Sequence, residues 1–294
     1  MKLTSRDKNM AGNKLLVVID PLTDDQMALG RAVKLALEIN ASLHLFCCTY
    51  LSEDELLEYS SRKDAKHSQV QETKDWLQEL AQPIKNQGLE VSCEVVWNQR
   101  WEMMVAQAAG RVDATLIVKS SFQHSALSRK FKHTSDFYLM RAAPCPVLLV
   151  KSDEAWQNSI ILAAVSLNEH EPEHDVLNNR ILTQAQRLAK ATGFELHLVS
   201  AIEKTPNFVK LFHLLEHSEA PDQQLAAERF GIPSANMHLR EGKAKAVITD
   251  LTQELHADLL VIGTAARAGV QATLVGNTAE KILDKVETDV MVVG

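Results

Sequence analysis

Residues 259–293 read LLVIGTAARAGVQATLVGNTAEKILDKVETDVMVV, and this stretch decides the fold. It opens on a strand-like apolar run, Leu259 to Ile262, closed by Gly263, and ends on a second run, Val290 to Val293. Between them lie a glycine-spaced loop and a short helical segment opened by Gly276-Asn277-Thr278. Both runs are apolar without alternation, as strands read when helices cover both faces of a parallel sheet.

The same series occurs a second time. Ala114 to Val118 and Val147 to Val150 match the two runs, and working outward the chain resolves into two copies of one unit, residues 14–150 and 159–293. Each copy opens on a strand, Leu15 to Ile19 or Ile160 to Val165, followed by a helix-period segment. The first helix is expected over about 24–40, with Leu29, Val33 and Ala36 on its apolar face and Thr23 with Gln26 as a capping box. Its counterpart is expected over about 174–192, stopped by Gly193. Second strands follow at Ser42 to Thr49 and Phe194 to Ala201, and third strands at Val91 to Val96 and Met237 to Arg240. Helices at Glu102 to Ala109 and Ala244 to His256 then lead into the fourth strands. The prediction is α/β, two tandem doubly wound domains of roughly five parallel strands each, with boundaries at 1–151 and 152–294 and Lys151 to Asn158 as the linker.

Composition agrees with this class. Of the 294 residues 46% are hydrophobic and 23% charged, which excludes disorder and disulfide scaffolds. The net charge of −7 falls entirely after residue 150, so binding to a nucleic acid backbone is disfavoured. Four cysteines without metal-ligand spacing read as reduced thiols. The first thirteen residues lack a signal-like apolar core and no stretch has membrane-span length, so a cytoplasmic location without membrane association is expected.

Ligands of such sheets sit beyond the carboxyl ends of the strands where strand order reverses, which places weight on the segments after strands one and four. In copy two, residues 263–281 read GTAARAGVQATLVGNTAEK. A glycine before a helix N-terminus lets an anion approach unpaired amides and the positive end of the dipole, so the segment is a candidate phosphate cradle. The alternative is a glycine turn before a helix capped by Asn277 and Glu280, whose negative charge opposes an anion. Neither a Walker A sequence nor G-x-G-x-x-G occurs, which sets P-loop and dinucleotide chemistry aside.

Strand LLVIG at 259–263, GNTAEKIL at 276–283 and DVMVV at 289–293 resemble the C-terminal signature of the universal stress protein family, and the opening LLVVIDPLTDDQMALGRAV at 15–33 together with the paired-domain layout resembles tandem members of that family. The C-terminal signature spaces three glycines before a small polar residue; Gly263 and Gly276 are kept, and Ala266 stands at the second. The resemblance extends over nearly the whole chain and implies Rossmann-like tandem domains, a role in stress response, and an intrachain pseudo-dimer joined through the strands at 147–150 and 290–293. Homodimerisation of the whole chain is left open. It further implies ATP as the ligand of binding members, held by the glycine loop and by an aspartate after strand one.

Each copy keeps part of that pattern. Asp20 holds the aspartate position in copy one, and Ser166 replaces it in copy two. An ungapped count from Lys119 opposite Gly263 sets Lys132-His133-Thr134 opposite Gly276-Asn277-Thr278. The expected nucleotide or phosphate site in copy two is Ser166, Gly263, Thr264, Ala266, Arg267, Gly276, Asn277 and Thr278. In copy one the loop Lys119 to Ser135 carries basic and no acidic residues, so Asp20, Lys119, Lys132, His133 and Thr134 are the candidate anion set. Modest, salt-sensitive affinity is expected in copy two, and a different ligand or none in copy one.

No Ser-His-Asp, Cys-His or paired-carboxylate arrangement assembles, so a binding protein is favoured over an enzyme. Weak ATP hydrolysis, or carriage of a partly apolar ligand under residues 203–233, are the competing readings. His213 and His217 share a helix-face spacing but lack a third ligand, so no metal is assigned. Cys47 and Cys48 read as packing residues, and His44 and His197 as structural histidines in matching strands.

Overall fold

Three consecutive side chains of the first strand, Leu15, Leu16 and Val17, are fully buried. Successive strand residues point to opposite faces, so both sides of the sheet are covered. A computed structural model describes residues 12–121, 129–167, 172–202, 222–264 and 277–294, of which 129–135, 172–174, 277, 278 and 280 are described by backbone alone. The chain divides into two compact units, Met1–Asp153 and Glu154–Gly294.

In the first unit β1 (Lys14–Ile19), β2 (Ser42–Thr49), β3 (Val91–Trp97), β4 (Leu116–Ser120) and β5 (Val147–Val150) lie in the order β3-β2-β1-β4-β5. In the second, β6 (Ile160–Ala164), β7 (Glu195–Ile202), β8 (Met237–Glu241), β9 (Leu259–Gly263) and β10 (Asp289–Val293) lie in the order β8-β7-β6-β9-β10. Neighbouring strands within each unit run parallel. The order reverses between β1 and β4, and again between β6 and β9, which gives each unit one crevice at the carboxyl ends of those strands.

The helices of the first unit are α1 (Met27–Ile39), α2 (Glu53–Leu56), α3 (Arg62–Asn86), α4 (Trp101–Arg111) and α5 (Arg129–Ala142). Those of the second are α6 (Pro172–Thr192), α7 (Gln223–Phe230), α8 (Ala244–Glu254) and α9 (Asn277–Leu283). On α3 the buried residues Ala65, Thr73, Leu77, Ala81 and Ile84 recur at helical spacing and face the sheet. Gly193 ends α6 with φ of +76°, the left-handed stop that its position suggests.

Three local expectations change. The first helix starts at Met27, and Gln26 makes no side-chain cap bond, so Thr23 and Gln26 form no capping box. Thr23 Oγ1 instead accepts from the Asp25 amide at 3.1 Å, and Gln26 turns back to the loop. Second, β4 runs on to Ser120, and both Ser120 and Gly263 pair with the last residue of the closing strand, Val150 and Val293. Ser120, not Lys119, is therefore the structural counterpart of Gly263. Third, the end of the expected linker is docked on the second unit. Trp156 Nε1 donates to Asp289 Oδ2 at 2.9 Å, and the Asp258 carboxylate accepts from the amides of Gln157, Asn158 and Ile160 at 2.7, 3.0 and 3.2 Å.

Candidate functional site

The two crevices are built on one plan with different side chains. In each, an amide side chain from the first helix region grips the backbone of the residue just past the first strand. In the N-terminal unit Gln26 Oε1 accepts from the Asp20 amide at 3.3 Å while its Nε2 donates to the Asp20 carbonyl at 2.7 Å. In the C-terminal unit Asn178 Oδ1 accepts from the Ser166 amide at 2.9 Å and its Nδ2 donates to the Ser166 carbonyl at 2.6 Å. A primary amide offers a donor and an acceptor side by side, so it continues the strand's bonding beyond its end. Asp20 spends its own carboxylate locally, accepting from the Leu22 amide at 2.9 Å.

Among the described residues, the groups on the floor of the N-terminal crevice bond to one another. Ser120 Oγ accepts from the Ala28 amide at 3.0 Å, occupying one of the unpaired donors at the start of α1. The Lys119 ammonium lies 3.1 Å from Asp136 Oδ1 and 5.2 Å from the centre of the Trp101 ring, and donates to the Ser120 carbonyl at 2.8 Å. Its charge is thus matched by a carboxylate and an aromatic face. Lys132, His133 and Thr134 lie within α5, whose helix begins at Arg129. Backbone amides beyond the first turn of a helix bond within it, so His133 and Thr134 do not form a loop of amides open to a phosphate. A separate cavity of about 190 Å³ opens beside α1, lined by Asp24, Asp25, Arg31, Lys34 and Asp153 among others; it includes none of Asp20, Lys119 and Ser120.

The described part of the C-terminal floor is small and uncharged. It comprises Ser166, Gly263 and Thr264, with the Thr264 amide donating to the Val293 carbonyl at 2.8 Å. A Cβ on Gly263 would stand 2.6 Å from Leu177 Cδ2 and 2.7 Å from its Cγ. A side chain at position 263 would therefore have to push Leu177 of α6 aside, whatever the glycine does toward a ligand. Ala266, Arg267 and Gly276 lie outside the described residues, as do His213 and His217; Asn277 and Thr278 begin α9, described there by backbone alone. Sequence reading missed Gln26, Asn178, Ser120, Trp101 and Asp136 as shapers of the crevices, because their partners are set by tertiary structure.

The matching histidines differ in company. His44 Nδ1 is 2.9 Å from Ser92 Oγ and its Nε2 is 3.2 Å from Glu94 Oε2, a carboxylate that also pairs with Arg111. Burial lowers the His44 pKa below the usual imidazole value, against the opposing pull of Glu94. His197 Nδ1 instead meets His238 Nε2 at 3.0 Å. Burial pushes the Cys47 and Cys145 thiols up to about 12 and Cys48 to about 11, and raises Cys93, so these thiols stay protonated at neutral pH. Among the described residues no group of three or more His, Cys, Asp or Glu side chains is arranged to hold a metal ion, and no helix is long and apolar enough to cross a membrane.

Comparison with known proteins agrees with this architecture. The profile of the universal stress protein family matches residues 12–151 and 174–294. The chain is 32% identical to universal stress protein E of Escherichia coli (strain K12) over 294 residues, covering 95% of this chain and 93% of that one. Among solved structures, a functionally unknown protein from Pseudomonas aeruginosa PAO1 matches with a TM-score of 0.76 at 30% identity, over 98% of this chain and 94% of that one. A universal stress protein from Archaeoglobus fulgidus DSM 4304 shares the fold, with a TM-score of 0.68 at 16% identity over 96% of each chain.

Proposed function

The chain belongs to the universal stress protein family, and from that premise we propose that it acts in stress response as a cytoplasmic binding protein, not an enzyme, whose C-terminal unit takes a small phosphorylated ligand of nucleotide type, ATP foremost. Ser166, Gly263 and Thr264 would form the floor of the site. Ala266, Arg267, Gly276, Asn277 and Thr278 would complete it around the phosphates.

The contrast between the two crevices carries this reading. At equivalent strand ends the N-terminal unit places Ser120, bonded to the start of α1, and Lys119, bonded to Asp136; the C-terminal unit places Gly263 and Thr264. An anion entering the first crevice would have to displace groups already satisfied by one another. Among the described residues, one entering the second meets Ser166, Gly263 and Thr264, whose backbone bonds lie within the unit, and has no lysine–carboxylate pair to break. The negative charge of the C-terminal half opposes any phosphate ligand, so affinity should be modest and should depend on salt.

Calorimetric titration of the full chain with ATP tests the proposal. One site per chain is expected, with Kd between about 10 µM and 1 mM, weakened at least about tenfold by Gly276→Asp and unchanged by Lys119→Ala. No heat at millimolar ATP with the chain folded, or a site lost on Lys119→Ala but kept on Gly276→Asp, would overturn it.

A further inference from the structure

The pair His197 and His238 joins β7 to β8, the outermost strand of the C-terminal unit. The ring planes are inclined by only 15° and the centroids stand 5.3 Å apart. With ring nitrogens 3.0 Å apart, that separation is the geometry of rings meeting end to end, one N–H aimed at the other ring's lone pair. Opposed nitrogens at this distance leave no room for a metal ion between them. A single shared proton makes the bond.

We propose that this pair makes the outer edge of the C-terminal unit acid-sensitive: one proton holds His197 and His238 together near neutral pH, and a second forces them apart and loosens β8. When both rings are protonated every ring nitrogen is a donor, so two N–H groups face each other and both rings carry positive charge. His197 is 9% exposed and its Nε2 has no hydrogen-bond partner among the described residues, so the ring has little freedom to turn toward water.

The neighbouring charges do not remove the conflict. Glu195 on β7 lies 3.7 Å from His197 Nε2, but it is 60% exposed and also accepts from Asn236 Nδ2 at 3.0 Å. Solvent screens such a carboxylate. Glu254 on α8 is engaged with Arg240 of β8 at 2.9 Å. Burial, then His197, then Arg240 hold the His238 pKa below 6.5, outweighing Glu254. A depressed folded-state pKa contributes stability that is present above 6.5 and lost as pH falls through the folded value. Separating β8 is the available relief, because within its unit that strand pairs with β7 alone.

The matching site in the other unit lacks this conflict. His44 faces the Ser92 hydroxyl and the Glu94 carboxylate, which can both accept, so a second ring proton breaks neither bond.

Hydrogen exchange of the full chain between pH 7.5 and 5, corrected for the intrinsic pH dependence, tests the proposal together with imidazole nitrogen NMR. Amides of residues 237–241 should lose at least about tenfold in protection as the second proton binds, the factor that corresponds to one pH unit. Residues 91–97 should change by less. His238→Gln, which keeps an uncharged donor and acceptor, should abolish the effect. Unchanged protection of 237–241 while both rings are seen to be protonated overturns the proposal. So does a loss of protection that is the same in His238→Gln. Should that variant fail to fold, the wild-type NMR and exchange series decides alone.

Discussion

Asn178 holds Ser166 through two hydrogen bonds, accepting from its amide at 2.9 Å and donating to its carbonyl at 2.6 Å, and does so from a position that is only 4% exposed. The bond pair fixes the point where β6 gives way to the crevice, as Gln26 fixes the end of β1 at Asp20. A polar side chain on the buried side of α6 is thereby satisfied, and the backbone it reaches is shielded from fraying.

Asn178→Ala should therefore destabilise the C-terminal unit by about 1–3 kcal/mol, the cost of leaving a buried polar group without its partner. Asn178→Asp should cost at least as much, since it removes the donor and places a charge there. Urea unfolding, followed by probes specific to each unit because the chain has two, would show the C-terminal transition moving and the N-terminal one fixed.

Gly263→Ala should also destabilise, by about 1–3 kcal/mol as overpacking does, since its Cβ would meet Leu177 at 2.6 Å. Shortening Leu177 in the same chain should recover part of the loss, giving a coupling term of opposite sign in a double-mutant cycle. Strict additivity would show that the glycine is not there for Leu177. The cycle matters for the proposed ligand site, because a loss of binding in Gly263→Ala alone would mix packing with recognition.

Much of the fold is legible in the residues because parallel strands covered on both faces leave plain apolar runs. Val147 to Val150 and Ser42 to Thr49 coincide with strands, and the other strand ends shift by only a residue or two. The crevices are less legible. Thr23 and Gln26 have capping-box spacing, yet the Gln26 amide finds better partners in the Asp20 backbone and the Thr23 carbonyl. Counting from Lys119 misses that β4 continues to Ser120, because an ungapped count cannot sense strand register. The basic loop looks free of carboxylates only because Asp136 stands one residue beyond it, where the helical fold of α5 returns it to Lys119.

His44 should make the N-terminal unit less stable in acid. Its folded-state pKa is lowered, chiefly by burial, so the unfolded chain binds the proton more readily. The stabilising contribution is complete above 6.5 and is lost as pH falls through the folded value. Thermal unfolding of the full chain from pH 8 to 5 should show a declining Tm for this unit, and His44→Gln should flatten that decline while lowering the plateau at high pH. A decline equally steep in the variant would assign the effect to other groups.

The segment following the unit boundary gives the last prediction. The Asp258 carboxylate takes three backbone amides, from Gln157, Asn158 and Ile160, and Trp156 donates its indole proton to Asp289, which is 3% exposed. These bonds tie residues 156–160 to the strand entrances of the C-terminal unit, so they behave as its first structural segment and not as a free tether. Hydrogen bonds to charged groups contribute about 1.5–3 kcal/mol each, so Trp156→Phe should cost roughly that much and Asp258→Ala no less. Limited proteolysis supplies the readout: either substitution should speed cleavage between 151 and 160 at least about tenfold while cleavage elsewhere is unchanged. Wild-type cleavage already as fast as in the variants would mean that the segment is open in solution and that its hydrogen bonds do not hold it.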